Sequence, residues 1–341
     1  MRKLASIQTV KYVKPIPDAD SIETVGVLGW EVVSKKGEFQ TGDTCLFIEI
    51  DSLLPEIPEF EFLRKVCWND NLKKYRLKTV KLRKQLSQGL ALPTSVFPIL
   101  AGLTAGADVT DLLGIEKYEP PIPAQIVGDA RSFSWPISKT DETRVQLDDE
   151  YGFIERLTGQ PYYISLKLDG TSSTFLIDPK DETFHVCGRN YSYKRNDTHT
   201  FWKIAQRYNI EQKLRYFWDK GNNRIAIQGE IVGPGIQKNP LGLSVPDLYI
   251  FNVIDIADNT RFSLGMSMFI VQELGLKFVP IVDKGSSFAY TKTDLLEMAK
   301  GKYKTHFSSA KDSQNREGIV IRSICGEISF KAINNDFLLK E

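Results

Sequence analysis

Residues 162–175, YYISLKLDGTSSTF, set a lysine in an apolar run with an acid two positions further on. Period-2 alternation places Tyr163, Ser165, Lys167 and Asp169 on one face of a strand and Ile164, Leu166 and Leu168 on the other. A lysine so placed is a nucleophile where its surroundings favour the neutral amine. In open solvent, at a pKa of about 10.4, it is almost wholly protonated at neutral pH. Gly170 ends the run, permits a tight turn and leaves room for a ligand to approach the backbone. A bare Lys-x-Asp-Gly is most often a surface turn, so its company decides its meaning.

That company is polar groups at the ends of apolar strands. Gln228-Gly229-Glu230 closes an alternating run and precedes IVGPGIQKN (231–239), whose glycines and proline mark a strained turn able to border a pocket. LYIFNVID (248–255) carries Phe251, and REGIVIR (316–322) sets Glu317 immediately ahead of another strand. In EISFKAINNDFLLK (327–340), Ser329, Lys331 and Ile333 share one face against Ile328, Phe330 and Ala332. Singly, Glu230 and Glu317 read as rim charges, Phe251 as core and Lys331 as a surface lysine. Their common order along the chain is harder to assign to chance.

The elements that must position these groups fall into two parts. A chain of 341 residues suggests two domains, and 42% hydrophobic with 26% charged residues is a globular balance. Residues 22–34 and 44–54, rich in Val, Ile, Leu and Trp, read as strands, and 60–69 as one short helix, giving a small β barrel or sandwich over 1–119. Three prolines at 120, 121 and 123 open an extended connector, taken as 120–135. The second domain, 136–341, is expected to be α+β with antiparallel sheets: strands at 162–168, 173–178, 183–187, 225–233, 248–256, 319–324 and 327–332, and helices at 201–219 and 291–300.

Charge and cysteine usage narrow the function classes. Lys and Arg total 44 against 43 Asp and Glu, so a polyanion-binding surface must be local. The strongest local field is Lys73–Lys84, with seven basic residues in twelve, no acid, and Tyr75 inside it as a candidate support for a sugar or base. A solvated β face is the competing reading. Cys45, Cys67, Cys187 and Cys325 lack disulfide or zinc spacing, and His185, His199 and His306 lack ligand spacing, so an intracellular, reducing compartment is expected. No apolar run approaches the roughly 20 residues needed to cross a bilayer, and no membrane partner is expected.

Together KLDG, QGE, GPGIQKN, EGIVIR and the final strand resemble the covalent nucleotidyltransferase superfamily, and within it ATP-dependent RNA ligases of the Deinococcus and Naegleria type. The resemblance covers 136–340, where GPGIQKN and KTDETRVQ (139–146) favour RNA ligases over general DNA ligases. It implies that Lys167 is the adenylated nucleophile with Asp169 and Gly170 as companions. Arg189, in CGRN (187–190), would handle phosphate and the ribose side. Glu230 would bind a ribose hydroxyl, Phe251 stack on adenine, Glu317 serve the metal centre with Asp169, and Lys331 contact phosphate.

The resemblance also implies ATP and Mg²⁺ or Mn²⁺ as cofactors, an OB-like N-terminal domain, and nicked duplex nucleic acid with an RNA 3′-hydroxyl and a 5′-phosphate as partner. One position departs from the superfamily pattern. Lys-x-Lys is usual where this chain has Lys331-Ala332-Ile333, and Lys340 or a lysine from elsewhere would have to substitute. An mRNA-capping guanylyltransferase and a DNA ligase are the alternative enzymes. Both usually carry an OB domain after the last motif, whereas only ten residues follow Lys331 here. A nucleic-acid-binding protein with an inactive nucleotide pocket is the non-enzymatic alternative.

Overall fold

The computed structural model describes residues 3–119, 128–132, 137–221 and 223–339, with the side chain of residue 132 excepted. Two compact units emerge. The first holds 3–119 together with Gln146–Tyr151, and the second the remainder.

In the first unit a five-stranded sheet runs in the order Leu90–Pro93, Thr44–Ile48, Ala5–Pro15, Ile22–Val27, Trp30–Lys35. The long strand Ala5–Pro15 pairs with Thr44–Ile48 through its first half and with Ile22–Val27 through its second, and an irregularity between Val10 and Tyr12 lies close to the change of partner. Such a bulge increases local twist. The outer strands then return towards each other: Gln88 N–H donates to Glu31 O at 2.8 Å and Val33 N–H to Ser87 Oγ at 3.0 Å. The sheet is therefore a curled half-barrel. Its apolar sides bury Ile7, Leu46, Ile48 and Phe60 in one cluster and Val25, Trp30, Val32 and Phe47 in another.

Sequence and structure part here in four places. The strand Ala5–Pro15 is not among the expected ones, and the helix expected over 60–69 is a 3₁₀ turn, Pro58–Leu63, followed by one α-turn, Arg64–Cys67. Segment 146–151 belongs with the first unit, because Leu147 is buried among Val10, Trp30 and Phe47, and Gly29 N–H donates to Gln146 O at 2.9 Å. Of the connector expected over 120–135, residues 120–127 and 133–135 lie outside the described ones. Ala130–Ser132 is a strand paired with Tyr191–Tyr193 rather than a free link.

The second unit is built on two sheets. One contains, in order, Ala130–Ser132, Tyr191–Tyr193, Phe184–Cys187, Thr171–Ile177, Ile225–Val232, Asp247–Asp255 and Thr260–Arg261, with Lys277–Phe278 also alongside Asp247–Asp255. The other has the order Thr143–Arg144, Ser329–Ile333, Gly318–Ser323, Tyr162–Lys167, Ile281–Gly285. Helices Thr200–Arg207 and Ile210–Asp219 bury Phe201, Trp202, Ile204, Ile210 and Leu214 in the core of the first sheet. One helix was expected over 201–219. Asn209, in the left-handed region at φ 51°, breaks it into two. No helix among the described residues is long and apolar enough to cross a membrane, and all four cysteines are free.

Candidate active site

Lys167 is the last residue of Tyr162–Lys167 in one sheet, and Thr171 is the first of Thr171–Ile177 in the other. The three residues Leu168, Asp169 and Gly170 make the whole crossing. Burial does not follow the expected two-face alternation: Tyr163, Ile164, Ser165 and Leu166 are all buried, and only the end of the strand opens. Gly170 must be glycine for a steric reason. A Cβ there would stand 2.4 Å from Ile231 O and 2.6 Å from Val232 Cγ1, so the turn lies directly on the strand that carries Glu230. Gln237 of the GPGIQKN loop donates to Gly170 O at 3.2 Å and ties that loop to the turn.

Neighbouring strands bring charged groups to this point. Lys167 pairs with Gly318, which sets Glu317 beside it, and Lys167 Nζ lies 2.7 Å from Glu317 Oε1. Lys331 lies across from Val320 on the next strand, and Arg144 pairs with Lys331 from the strand beyond. Glu230 comes from the other sheet, opposite Ser172.

The resulting field is unbalanced. Burial works against the charge on Lys167, but Glu317, Glu230 and Asp169 outweigh it and hold its pKa above the ordinary value. The amine is therefore held as an ammonium, contrary to the neutral form that nucleophilic attack requires. Glu230 is pushed up to about 8, first by burial and then by Glu317 and Asp169, against the pull of Lys167. Lys331 is pushed down to about 7 by burial, Lys167 and Arg144.

Asp169, Gly170, Glu230, Glu317 and Lys331 thus gather around Lys167. Arg189 lies in the turn between Phe184–Cys187 and Tyr191–Tyr193, exposed and paired with Asp141. Asp141 also acts electrostatically on Lys331. Phe251 is half-buried against the cluster of Leu166, Leu168, Val232 and Tyr303. Ile333 is explained by packing, since it is buried with Phe337 and Leu338 of the last helix. Arg144 is the second cation beside Lys331, while Lys340 lies outside the described residues.

The segment KTDETRVQ divides its charged residues among separate partners. Asp141 holds Arg189, Arg144 flanks Lys331, and Glu142 is buried with Arg322 at 3.0 Å and Arg261 at 3.2 Å. Arg322 also donates to Phe251 O at 3.1 Å. An arginine inside the apolar run GIVIR was the available signal for such a buried pair. Tyr303, which bonds the backbone on both sides of this site, carries no periodic signal in its sequence, GKYKTHF.

Asp169, Glu230 and Glu317 do not form a close three-ligand set; among the described residues, the ligand atoms of Asp178, Asp181 and His185 lie within 4.8 Å of one another. The chemistry of the donors still suits Mg²⁺ or Mn²⁺, which are held by one or two carboxylates together with substrate phosphates. A divalent cation would also relieve the crowding that keeps Glu230 protonated.

Comparison with known proteins places this geometry. An OB-fold domain model matches residues 4–94, and an RNA ligase model matches 160–333. The chain belongs to the RNA ligase family. Solved structures of Naegleria gruberi RNA ligase are similar over the full length. A lysine-to-alanine mutant with ATP and Mn is 37% identical, with a TM-score of 0.88 over 99% of both chains. A glutamate-to-alanine mutant with AMP and Mn matches at 37% and 0.88, over 100% of this chain and 99% of that one. The same ligase with PPi matches at 37% and 0.87, over 100% and 99%. No curated protein matched in a sequence search. The first unit is accordingly the OB fold of this RNA ligase, and the family assignment leaves no place for the inactive binding protein.

The expectation for Tyr75 fails. It is fully buried, its hydroxyl donates to Glu61 Oε2 at 2.8 Å, and its ring cannot support a base. Lys74 pairs with Glu116 at 2.6 Å, and Arg76 stacks on Tyr118. Lys78, Lys81, Arg83 and Lys84 remain exposed, the last three on or beside the hairpin Val80–Leu82/Gln85–Ser87.

Two outcomes follow from the packing and charge of the site. Gly170→Ala should cost about 1–3 kcal/mol by overpacking, seen as a lowered thermal midpoint. A raised Glu230 pKa means that the folded protein keeps a proton the unfolded chain has released. Its contribution to stability is full below about pH 4.5 and is lost as the pH climbs to about 8. Glu230→Gln removes that loss, so its thermal midpoint relative to wild type should rise steadily over this range, and a pH-independent gap would contradict the assignment.

Proposed function

We propose that this RNA ligase uses ATP and Mg²⁺ or Mn²⁺ to join an RNA 3′-hydroxyl to a 5′-phosphate at nicks in duplexes. The observation that carries the reading is the amine of Lys167 at the seam of two sheets, 2.7 Å from Glu317 and flanked by Asp169, Glu230 and Lys331. The relatives support the nucleotide: Naegleria ligase structures are with ATP, with AMP and with PPi, and the last two are the fragments of ATP cut between its α- and β-phosphates.

In the first step the lone pair on Lys167 Nζ attacks the α-phosphorus. A P–N bond forms, the bond to the β-phosphate oxygen breaks, and pyrophosphate leaves. The ammonium must first give its proton to water, which frees the lone pair. Asp169 and Glu317 would hold the divalent cation, which offsets their negative charge, disfavours the ammonium and stabilises charge on the phosphoryl oxygens. Lys331 and Arg144 supply positive charge to phosphate oxygens, Glu230 meets a ribose hydroxyl, and Phe251 offers its ring to adenine.

For Arg189 the reading requires the Asp141 pair to open so that the guanidinium can turn to phosphate. In the second step an oxygen of the RNA 5′-phosphate attacks the lysine-bound phosphorus, a P–O–P linkage forms, the P–N bond breaks and the Lys167 amine leaves, taking up a proton. In the third, the 3′-hydroxyl attacks the phosphorus of the RNA 5′-phosphate and AMP leaves. Both transfers rely mainly on in-line placement.

The exposed Lys78, Lys81 and Arg83 of the OB fold fit a phosphate backbone, whose binding releases counterions. Replacing all three should weaken binding to a nicked duplex and flatten its salt dependence, and unchanged values of both would reject the surface. Lys167→Ala should abolish label transfer to protein from ATP radiolabelled at the α-phosphate. The decisive assay offers the wild type matched nicks that differ only as RNA or DNA on each side. AMP-RNA and sealed product from RNA 3′ ends support the reading. Labelling by GTP alone favours a capping enzyme, and indifference to the 3′ strand favours a DNA ligase.

A further inference from the structure

The strand pair that carries Lys167 and Glu317 ends at Lys167–Gly318, where the two backbones separate. Tyr303 fills the point of separation. Its hydroxyl donates to Lys167 O at 2.9 Å and accepts from Asp169 N–H at 2.8 Å and Glu317 N–H at 3.1 Å. A phenol hydroxyl has one proton and two lone pairs, so these three bonds use all of its capacity. The side chain is fully buried, packed with Leu166, Leu168, Val279 and Phe307, and its ionisation is suppressed, first by burial and then by Glu317. It stays a neutral donor at working pH.

The residue is itself fixed from the Glu317 side. Tyr303 N–H donates to Gln314 O at 3.2 Å, and Lys302 and Asn315 form a bridge. Arg316, next to Glu317, sends its guanidinium to the carbonyls of Ala299 at 3.3 Å and Lys300 at 2.9 Å.

We propose that Tyr303 is a positioning residue for the adenylylation step. Its single hydroxyl takes the place of the next rung of the strand ladder, letting the Leu168–Gly170 turn leave for the other sheet while Glu317 stays beside the Lys167 amine. It touches no reacting atom, and acts through the backbone of the nucleophile and of two acids. The inference rests on the ligase reading and deepens it.

Tyr303→Phe in the full-length chain removes the hydroxyl and keeps the ring. Because it disturbs placement rather than nucleotide contacts, the single-turnover rate of label transfer at saturating ATP should fall by about tenfold or more, with the ATP dissociation constant changed by less than about threefold. Phe307→Leu, which loosens the same packing but spares the hydroxyl, should lower the thermal midpoint and keep the saturated rate. A wild-type rate in Tyr303→Phe, or an equal loss in Phe307→Leu, overturns the inference.

Should Tyr303→Phe fail to fold, hydrogen exchange on the wild type decides. The amides of Asp169 and Glu317 must be protected, and rapid exchange at both overturns the proposal. Absence of any label on the wild type would remove the ligase reading and this inference with it. A labelled wild type with an equally fast Tyr303→Phe variant removes the inference alone.

Discussion

The contact between the Lys167 ammonium and the Glu317 carboxylate, 2.7 Å across one end of a strand pair, is the point on which the charged groups of the second unit converge. Around it the formal charges exceed what a partly buried site can hold. The protein responds by letting Glu230 keep a proton and by easing Lys331 towards neutrality. Attraction in such a medium is strong and desolvation is stronger still for an unpaired group, so each residue's protonation depends on its neighbours. A phosphate chain and a divalent cation entering together would bring the opposite charges that this arrangement lacks.

Geometry at the seam turns that field into a defined direction. The sheet with Lys167 also supplies Glu317, Lys331 and Arg144 from adjacent strands, while the other sheet supplies Glu230 and Phe251. Two short crossings join them, Leu168–Gly170 and Val279-Pro280, and at the first the backbones approach so closely that Gly170 leaves no room for a side chain. The buried Glu142–Arg322 pair does related work further along. It links the segment bearing Asp141 and Arg144 to the strand after Glu317, and through Phe251 O to the strand of the aromatic residue. Breaking such a pair leaves a charge buried without its partner, which is costly.

How much of this was legible depended on whether a residue's role showed in local pattern. Lys167, Glu230, Glu317 and Lys331 each interrupt or end an apolar alternating run, and the order of those runs along the chain carried the family likeness. Tyr303 lies in GKYKTHF, which has no period, and its importance comes from a ladder ending elsewhere in sequence. Tyr75 misled because KYRLK alternates equally well on either face; Phe60 and Leu63, which claim its ring for the core, come from another stretch. Asn209 was invisible because helical periodicity continues on both sides of a single left-handed residue. Leu264–Glu273 escaped notice because Met266, Met268 and Phe269 are apolar yet exposed, which blurs any amphipathic face.

Leu147 has a bearing on modularity. The OB fold looks like a cassette that ends before the prolines, yet one of its apolar sockets is filled by a side chain from a later stretch, with Lys3–Glu150 and Lys11–Asp149 pairs beside it. A fragment trimmed at residue 119 would leave that socket open to water. Moving this cassette into another ligase would therefore require two separate pieces of the chain, the N-terminal stretch and Gln146–Tyr151.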